Sequence, residues 1–312
     1  MNRTRIAVIG VGHLGQHHAR LLATMPHVDL VAVVDIDLRR GAEIAARCDT
    51  VALPDTSTLV NNIDAAIVAT PTTSHVEVAL PLIESGTAVL IEKPLAVSVA
   101  EADRLVEAAE VRGTLLATGH TERFNPAVTV ALPLVSRPRF IEIHRLGTFP
   151  DRSLDIDVIF DLMIHDIDVL LAVVGSEVAS VEAVGVNVLT PRVDIANARF
   201  RFTSGCIANA TASRISRERV RKARFFQHDS YVSIDYAEQE VEAYQLVPED
   251  GGRPAIRGGK IAVTRDEPLR LELVDFVDAV RSKRLPMVTG RDGRAALALA
   301  TQVSELMSAD SK

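Results

Sequence analysis

The chain has 312 residues, 47% of them hydrophobic and 24% charged, with a formal net charge of -7. That length can build one large or two medium domains with true cores, and the acidic balance argues against nucleic acid or an anionic membrane surface as a partner. No apolar run approaches the length of a bilayer span, and the two cysteines, Cys48 and Cys206, are too few for a disulfide framework and lack metal-ligand spacing. A reducing, cytoplasmic setting fits best.

The amino terminus, MNRTRIAVIGVGHLG, has too short an apolar stretch for a signal peptide and runs straight into a glycine turn. It reads as a first strand over 5–12, followed by a helix over 13–25. Strands over 28–37, 63–71, 87–94 and 114–120 alternate with helical patterns over 38–48, from Ser74 or His75 onward, and over 99–113. Such alternation predicts an α/β, Rossmann-type parallel sheet covered by helices, with residues 1–122 as a dinucleotide-binding domain. Beyond residue 135 the pattern changes. A strand over 139–147 and a buried-looking helix over 161–174 precede several alternating strands without intervening helices. Residues 123–312 therefore read as an α+β domain on an open, mainly antiparallel sheet, for substrate binding and oligomerisation. Two last helices, over 269–283 and 292–308, are placed to pack back on the first domain, and PEDGGRPAIRGG (248–259) reads as a surface loop.

The turn GVGHLG sets Gly10, Gly12 and Gly15 in a G-x-G-x-x-G spacing between strand and helix. The first glycine permits the turn, the second lets backbone approach a pyrophosphate, and the third allows close helix packing. His13 and Leu14 complete the loop, whose helix N-terminus suits phosphate. Asp35 ends the second strand twenty residues after Gly15, where a carboxylate accepts bonds from ribose hydroxyls and repels a 2′-phosphate. The cofactor expected is NAD rather than NADP, although Arg39 and Arg40 lie close by. Without that context the same turn serves as plain structural punctuation or in a methyltransferase.

Ligands of open α/β sheets sit beyond the carboxyl ends of the strands. Thr70, Pro71 and His75 follow one such end and are candidates to touch cofactor, beside a plain helix start with Ser74 as N-cap. Glu92 and Lys93 follow another, in AVLIEKPLAV. Lys93 there can donate to a ribose hydroxyl or to a substrate oxygen; the plain alternative is a strand-end salt bridge or a snorkelling lysine. In DLMIHDIDVLLAVV, Asp161, His165 and Asp168 stand at i, i+4 and i+7 on a helix where nearly everything else is apolar. This stripe is either an imidazole oriented by a carboxylate one turn earlier or a solvent face. A metal is a third reading, but no further ligands are evident, and none is expected.

Together GVGHLG, ATPTTSH, EKPLA, GHTERFNPA and DLMIHDID resemble the Gfo/Idh/MocA family of sugar and cyclitol oxidoreductases, across essentially the whole chain. The resemblance implies that Lys93, Asp161 and His165 are catalytic: His165 as base, Asp161 fixing its tautomer, Lys93 on the substrate oxygen, with the roles of Lys93 and His165 exchangeable. Many members carry a glycine-rich run before the aspartate, where this chain has DIDVIF. That version, with HTERFNPAV, resembles the branch acting on nucleotide sugars, particularly at C3 of UDP-N-acetylglucosamine. For such a substrate Arg123, Asn125 and Arg145 are the candidate diphosphate ligands, each with a surface or interface alternative. The resemblance further implies a homodimer or homotetramer, and an aminotransferase as consumer of a 3-keto product for lipopolysaccharide or other surface sugars. Inositol, a free aldose or another small carbonyl compound is the rival substrate, and a dinucleotide-binding sensor or scaffold without chemistry the rival class.

Overall fold

A computed structural model describes residues 3–149, 156–248 and 253–309. They form two compact units, one running to His120 and taking in Leu269–Leu297, the other built on Thr121–Pro268.

The first unit holds a six-stranded sheet of β1 (Thr4–Ile9), β2 (Val28–Val34), β3 (Val51–Leu53), β4 (Ala65–Val68), β5 (Ala88–Glu92) and β6 (Leu116–Gly119). All are parallel, in the order β3-β2-β1-β4-β5-β6. Every residue of β4 and β5 is buried, as apolar runs covered on both faces must be. The helices are α1 (Gly15–Thr24), α2 (Leu38–Cys48), α3 (His75–Glu84) and α4 (Val99–Arg112). Local chemistry delimits them. Asp37 caps α2 by accepting from the N–H of Arg39 and Arg40; Ser98 caps α4 by accepting from Glu101 N–H, and Gly113 ends it in the left-handed conformation. Ser74 sits at the N-cap position of α3 but does not cap it: its hydroxyl donates back to the Pro71 carbonyl. The core joins Ile6, Val8, Val33, Ile67 and Leu90 of the sheet to Leu273 and Phe276 of α7 (Pro268–Ser282). Strand order reverses on either side of β1, which places the crevice beyond its carboxyl end. The three-residue edge strand β3 was not foreseen; it is too short and exposed to carry a period-two signal.

The second unit contains α5 (Pro126–Ala131), α6 (Ile164–Val174) and an eight-stranded sheet. Its strands are β7 (Phe140–Leu146), β8 (Val178–Val186), β9 (Ile195–Phe202), β10 (Ile207–Ser213), β11 (Val220–Phe226), β12 (Ser230–Asp235), β13 (Glu240–Val247) and β14 (Ala255–Ile261). The order is β14-β13-β12-β11-β7-β10-β9-β8, antiparallel except for the β7–β10 pair. Strict alternation, as in β9, turns Ala196, Ala198, Phe200 and Phe202 into the core, each buried. The other face keeps a half-exposed aromatic row: Phe140 stacks on Phe226 at 5.7 Å between ring centroids, Phe226 meets Tyr231 at 5.2 Å, and Tyr231 meets Tyr244 at 6.3 Å. The expected loop over 248–259 needs correction: residues 249–252 lie outside the described ones, and 255–259 belong to β14. Gly258, read as part of that loop, lies in β14 with a positive φ of 144° that side-chain-bearing residues rarely adopt, and a Cβ there would lie 2.7 Å from Tyr244 Cα on β13. The last helix, α8 (Gly290–Ala309), ends the described chain.

Candidate active site

The glycine turn of the first unit is built by exclusion. Gly10 has φ 83°, and a Cβ on it would lie 2.8 Å from the Ala69 carbonyl group, so the turn presses on the chain leaving β4. A Cβ on Gly15 would run into the Gly10 carbonyl. Around Gly12, apart from its own chain neighbours, no heavy atom of the described residues lies within 4 Å of such a position. This open cradle, followed by α1, whose Leu14 N-cap provides no side-chain hydrogen bond, has the form a dinucleotide pyrophosphate requires. His13 and Leu14 are exposed beside it.

Asp35 anchors the far side. Its Oδ2 accepts from Val11 N–H at 2.9 Å and its Oδ1 from Asp37 N–H at 2.8 Å, while Arg40 forks onto both oxygens at 3.0 and 2.7 Å. Burial pushes this carboxyl upward, but the Arg40 hydrogen bond and the two backbone N–H groups outweigh it and hold it below the usual carboxylate range. The group is thus an ionised acceptor at neutral pH.

Beyond β4, the Thr70 hydroxyl is buried with no protein hydrogen-bond partner among the described residues, and Pro71 is exposed. His75 is placed differently from the expectation. It is 1% exposed, with Nδ1 at 3.2 Å from the Leu95 carbonyl and Nε2 at 3.0 Å from that of Thr70. Burial lowers its pKa and outweighs the two carbonyls, and the neutral ring so favoured can donate to only one of them at a time. Glu92 is likewise buried, with its oxygens on His18 and on the Lys93 N–H. Lys93 itself is half-buried, and its peptide to Pro94 is cis.

In the second unit, Asp161 and His165 straddle the junction between a π-helical turn, Ile159–Met163, and α6. Both are half-buried. The wider turn departs from the regular i, i+4 spacing the sequence suggested, and such insertions recur at functional sites. A solvent face is ruled out for Asp168, which is 2% exposed and accepts from Arg123 at 3.3 Å. Arg123 Nε is buried without a protein partner among the described residues.

The other two proposed diphosphate ligands are committed elsewhere. Asn125 is buried; its Oδ1 caps α5 at Ala127 N–H, and its Nδ2 donates to the Tyr236 carbonyl at 3.0 Å. Arg145 is buried beneath Tyr236, 5.4 Å from the ring centroid, donating to both oxygens of Asp166 and, at 2.8 Å, to Glu122. Burial acts to raise the Glu122 carboxyl, but the Arg145 charge prevails and lowers it; at the more deeply enclosed Asp166, burial prevails. Among the described residues, Asn125 and Arg145 thus direct their side chains to partners within the unit.

The sequence reading overlooked His18 and Glu272. Each is a polar residue on an apolar helical stripe, His18 between Gly15 and Leu22 and Glu272 between Leu269 and Phe276, and that interruption was the available signal. With Glu92 they form the group of histidine and carboxylate atoms within 4.8 Å of one another found among the described residues.

Residues 4–120 match the model of an oxidoreductase family with an NAD-binding Rossmann fold, and residues 136–228 that of the GFO/IDH/MocA C-terminal domain. The chain is 39% identical over 308 residues, 97% of each chain, to UDP-N-acetylglucosamine 3-dehydrogenase of Acidithiobacillus ferrooxidans. A solved structure of that enzyme superposes with a TM-score of 0.92 at 37% identity, covering 99% of both chains. The NAD(+)-dependent scyllo-inositol 2-dehydrogenase of Bacillus subtilis is 27% identical over 93% of this chain and 90% of its own.

Proposed function

The chain belongs to the Gfo/Idh/MocA family of NAD-binding oxidoreductases, and on that premise we propose that it oxidises the C3 hydroxyl of a UDP-N-acetylhexosamine. The observation that carries the substrate is the 39% identity to a UDP-N-acetylglucosamine 3-dehydrogenase extending over 97% of both chains, whereas an inositol dehydrogenase covering a similar share reaches 27%.

The fit to NAD rests on the open cradle at Gly12, the ionised Asp35 carboxylate and the unpartnered Thr70 hydroxyl. NAD, when bound, supplies the acceptor for the hydride leaving the sugar carbon. The residues of the chain manage the proton and the developing charge. His165 takes the hydroxyl proton, the general-base task that imidazole serves most often in enzymes. Asp161 fixes its tautomer and stabilises the imidazolium. Lys93 donates to the substrate oxygen as alkoxide character grows, holding positive charge where negative charge appears. Arg123, with a buried Nε to spare, is the remaining candidate for the substrate diphosphate.

The half-exposed aromatic row from Phe140 to Tyr244 supports assembly through the open sheet face into a homodimer or homotetramer. A cytoplasmic setting and an aminotransferase that consumes the 3-keto product complete the proposal. The test is to incubate the protein with NAD and a panel of UDP-sugars, inositols and aldoses, following reduced nicotinamide by absorbance and products by mass. A UDP-N-acetylhexosamine should turn over and lose two hydrogens. Turnover of an inositol alone, or tight NADH binding with no turnover, refutes the substrate. Lys93→Met and His165→Asn should each lower kcat by about a hundredfold or more, within the range such groups contribute.

A further inference from the structure

Behind Lys93 the first unit buries charge that its packing alone does not require. His18 of α1, Glu92 of β5 and Glu272 of α7 are 0%, 5% and 1% exposed, and one ligating atom of each lies within 4.8 Å of the others. His18 Nε2 meets Glu92 Oε1 at 2.7 Å, and the other Glu92 oxygen accepts the backbone N–H of Lys93 at 3.2 Å. Among the described residues His18 Nδ1 is buried without a hydrogen-bond partner, so the proton belongs on Nε2, where it is donated; an unpaired ring acceptor costs less than an unpaired N–H in the same place. Room for the carboxylate comes from Gly119, which pairs with Glu92 across β5 and β6: a Cβ there would stand 3.0 Å from Oε2 and 3.1 Å from Cδ.

Two carboxylates placed together in a low dielectric are unfavourable unless protons or cations are shared among them. Their retention beneath a reactive residue calls for a reason. The chain of contacts supplies one: the helix that begins at the glycine turn holds Glu92 through His18, and Glu92 holds the residue that carries the ammonium.

We propose that His18 is a positioning residue for Lys93, acting through the Glu92 carboxylate. The proposal rests on the reading that Lys93 acts on the substrate oxygen. It links the dinucleotide-binding helix to the backbone of Lys93 through the hydrogen-bonded His18 and Glu92 side chains, so that the lysine's backbone is set before substrate arrives. Displacement of such a group by an ångström lowers turnover by up to about a hundredfold without abolishing binding.

The test measures kcat, sugar KM, NADH affinity and melting for His18→Ala, His18→Gln, Lys93→Met and the double variant His18→Ala/Lys93→Met. His18→Ala should lower kcat by about tenfold or more while NADH affinity and KM stay within about threefold. His18→Gln, whose amide can still donate toward Glu92, should recover most of that loss. In the double variant, removing His18 should cost no further turnover beyond Lys93→Met, because its effect passes through the lysine. If His18→Ala does not fold, Gly119→Ala displaces the same carboxylate from outside the group and enters the same cycle.

Equal factors for His18→Ala with and without Lys93, or unchanged kcat in His18→Ala, overturn the positioning role alone. Parental turnover in Lys93→Met overturns the reading of Lys93 and this proposal with it. A divalent metal retained at one equivalent, with activity lost to a chelator, would make the group a cation site and overturn it too.

Discussion

Arg145→Met separates a structural arginine from a phosphate-binding one. In the folded chain its guanidinium donates to Asp166 at 2.9 and 2.7 Å and to Glu122 at 2.8 Å, with all three residues sheltered from solvent or nearly so. Methionine fills similar volume but leaves two buried carboxylates without their cation; Arg221, which also acts on both electrostatically, compensates in part. Breaking a buried pair by removing one partner costs about 3–5 kcal/mol. Against a total stability of about 5–15 kcal/mol this is a large fraction. At about 2–4 °C per kcal/mol it lowers the melting temperature by roughly 10 °C. The sign of its pH dependence follows. Without the cation, burial raises both carboxyls in the folded state above their unfolded values. The deficit is therefore small below about pH 4, where both are protonated in either state, and grows as pH rises through the raised folded values. Thermal melts of parent and variant from pH 4 to 8, beside kcat and KM for the UDP-sugar, check this. A variant that melts within 2 °C or so of the parent at every pH, with KM alone raised, would return Arg145 to the diphosphate and refute the reasoning.

Three further variants probe the glycine turn and a buried carboxylate of the second unit. Gly12→Val projects into open space, so it should leave melting unchanged while NADH affinity, read by fluorescence titration, falls by about tenfold or more; Gly15→Ala, which collides with the Gly10 carbonyl, should instead lose about 1–3 kcal/mol of stability. Asp194 is buried, and although burial raises its carboxyl, the N–H groups of Leu189 and Thr190, the Thr190 hydroxyl and Arg214 hold it well below the usual range. A depressed folded pKa stabilises above the unfolded value of about 3.9 and loses that stability as pH falls below it. Asp194→Asn should therefore weaken the fold at pH 7 in urea titrations and flatten its acid loss between about pH 4 and 2; an unchanged acid slope would refute the assignment.

The alternation of apolar runs and helical periods, the glycine spacing and the placement of Asp35 and Lys93 after strands were all legible in the sequence. Each depends on a few neighbouring residues: turn conformation, side-chain period and capping act over one or two turns of chain. The parallel sheet and the crevice followed from these local signals by general rules of connection. Partner choice was not legible. Arg145 lies 21 residues from Asp166, and Asn125 lies 111 from the Tyr236 carbonyl it meets. A cation beside a motif reads the same whether it awaits a phosphate or already holds a carboxylate. Only the folded chain decides, because burial makes a charge choose the nearest opposite charge that the topology delivers. The same holds for Gly258, read as part of a surface loop and found in a strand, and for His18, where an interrupted apolar stripe signalled a buried polar contact without naming Glu92.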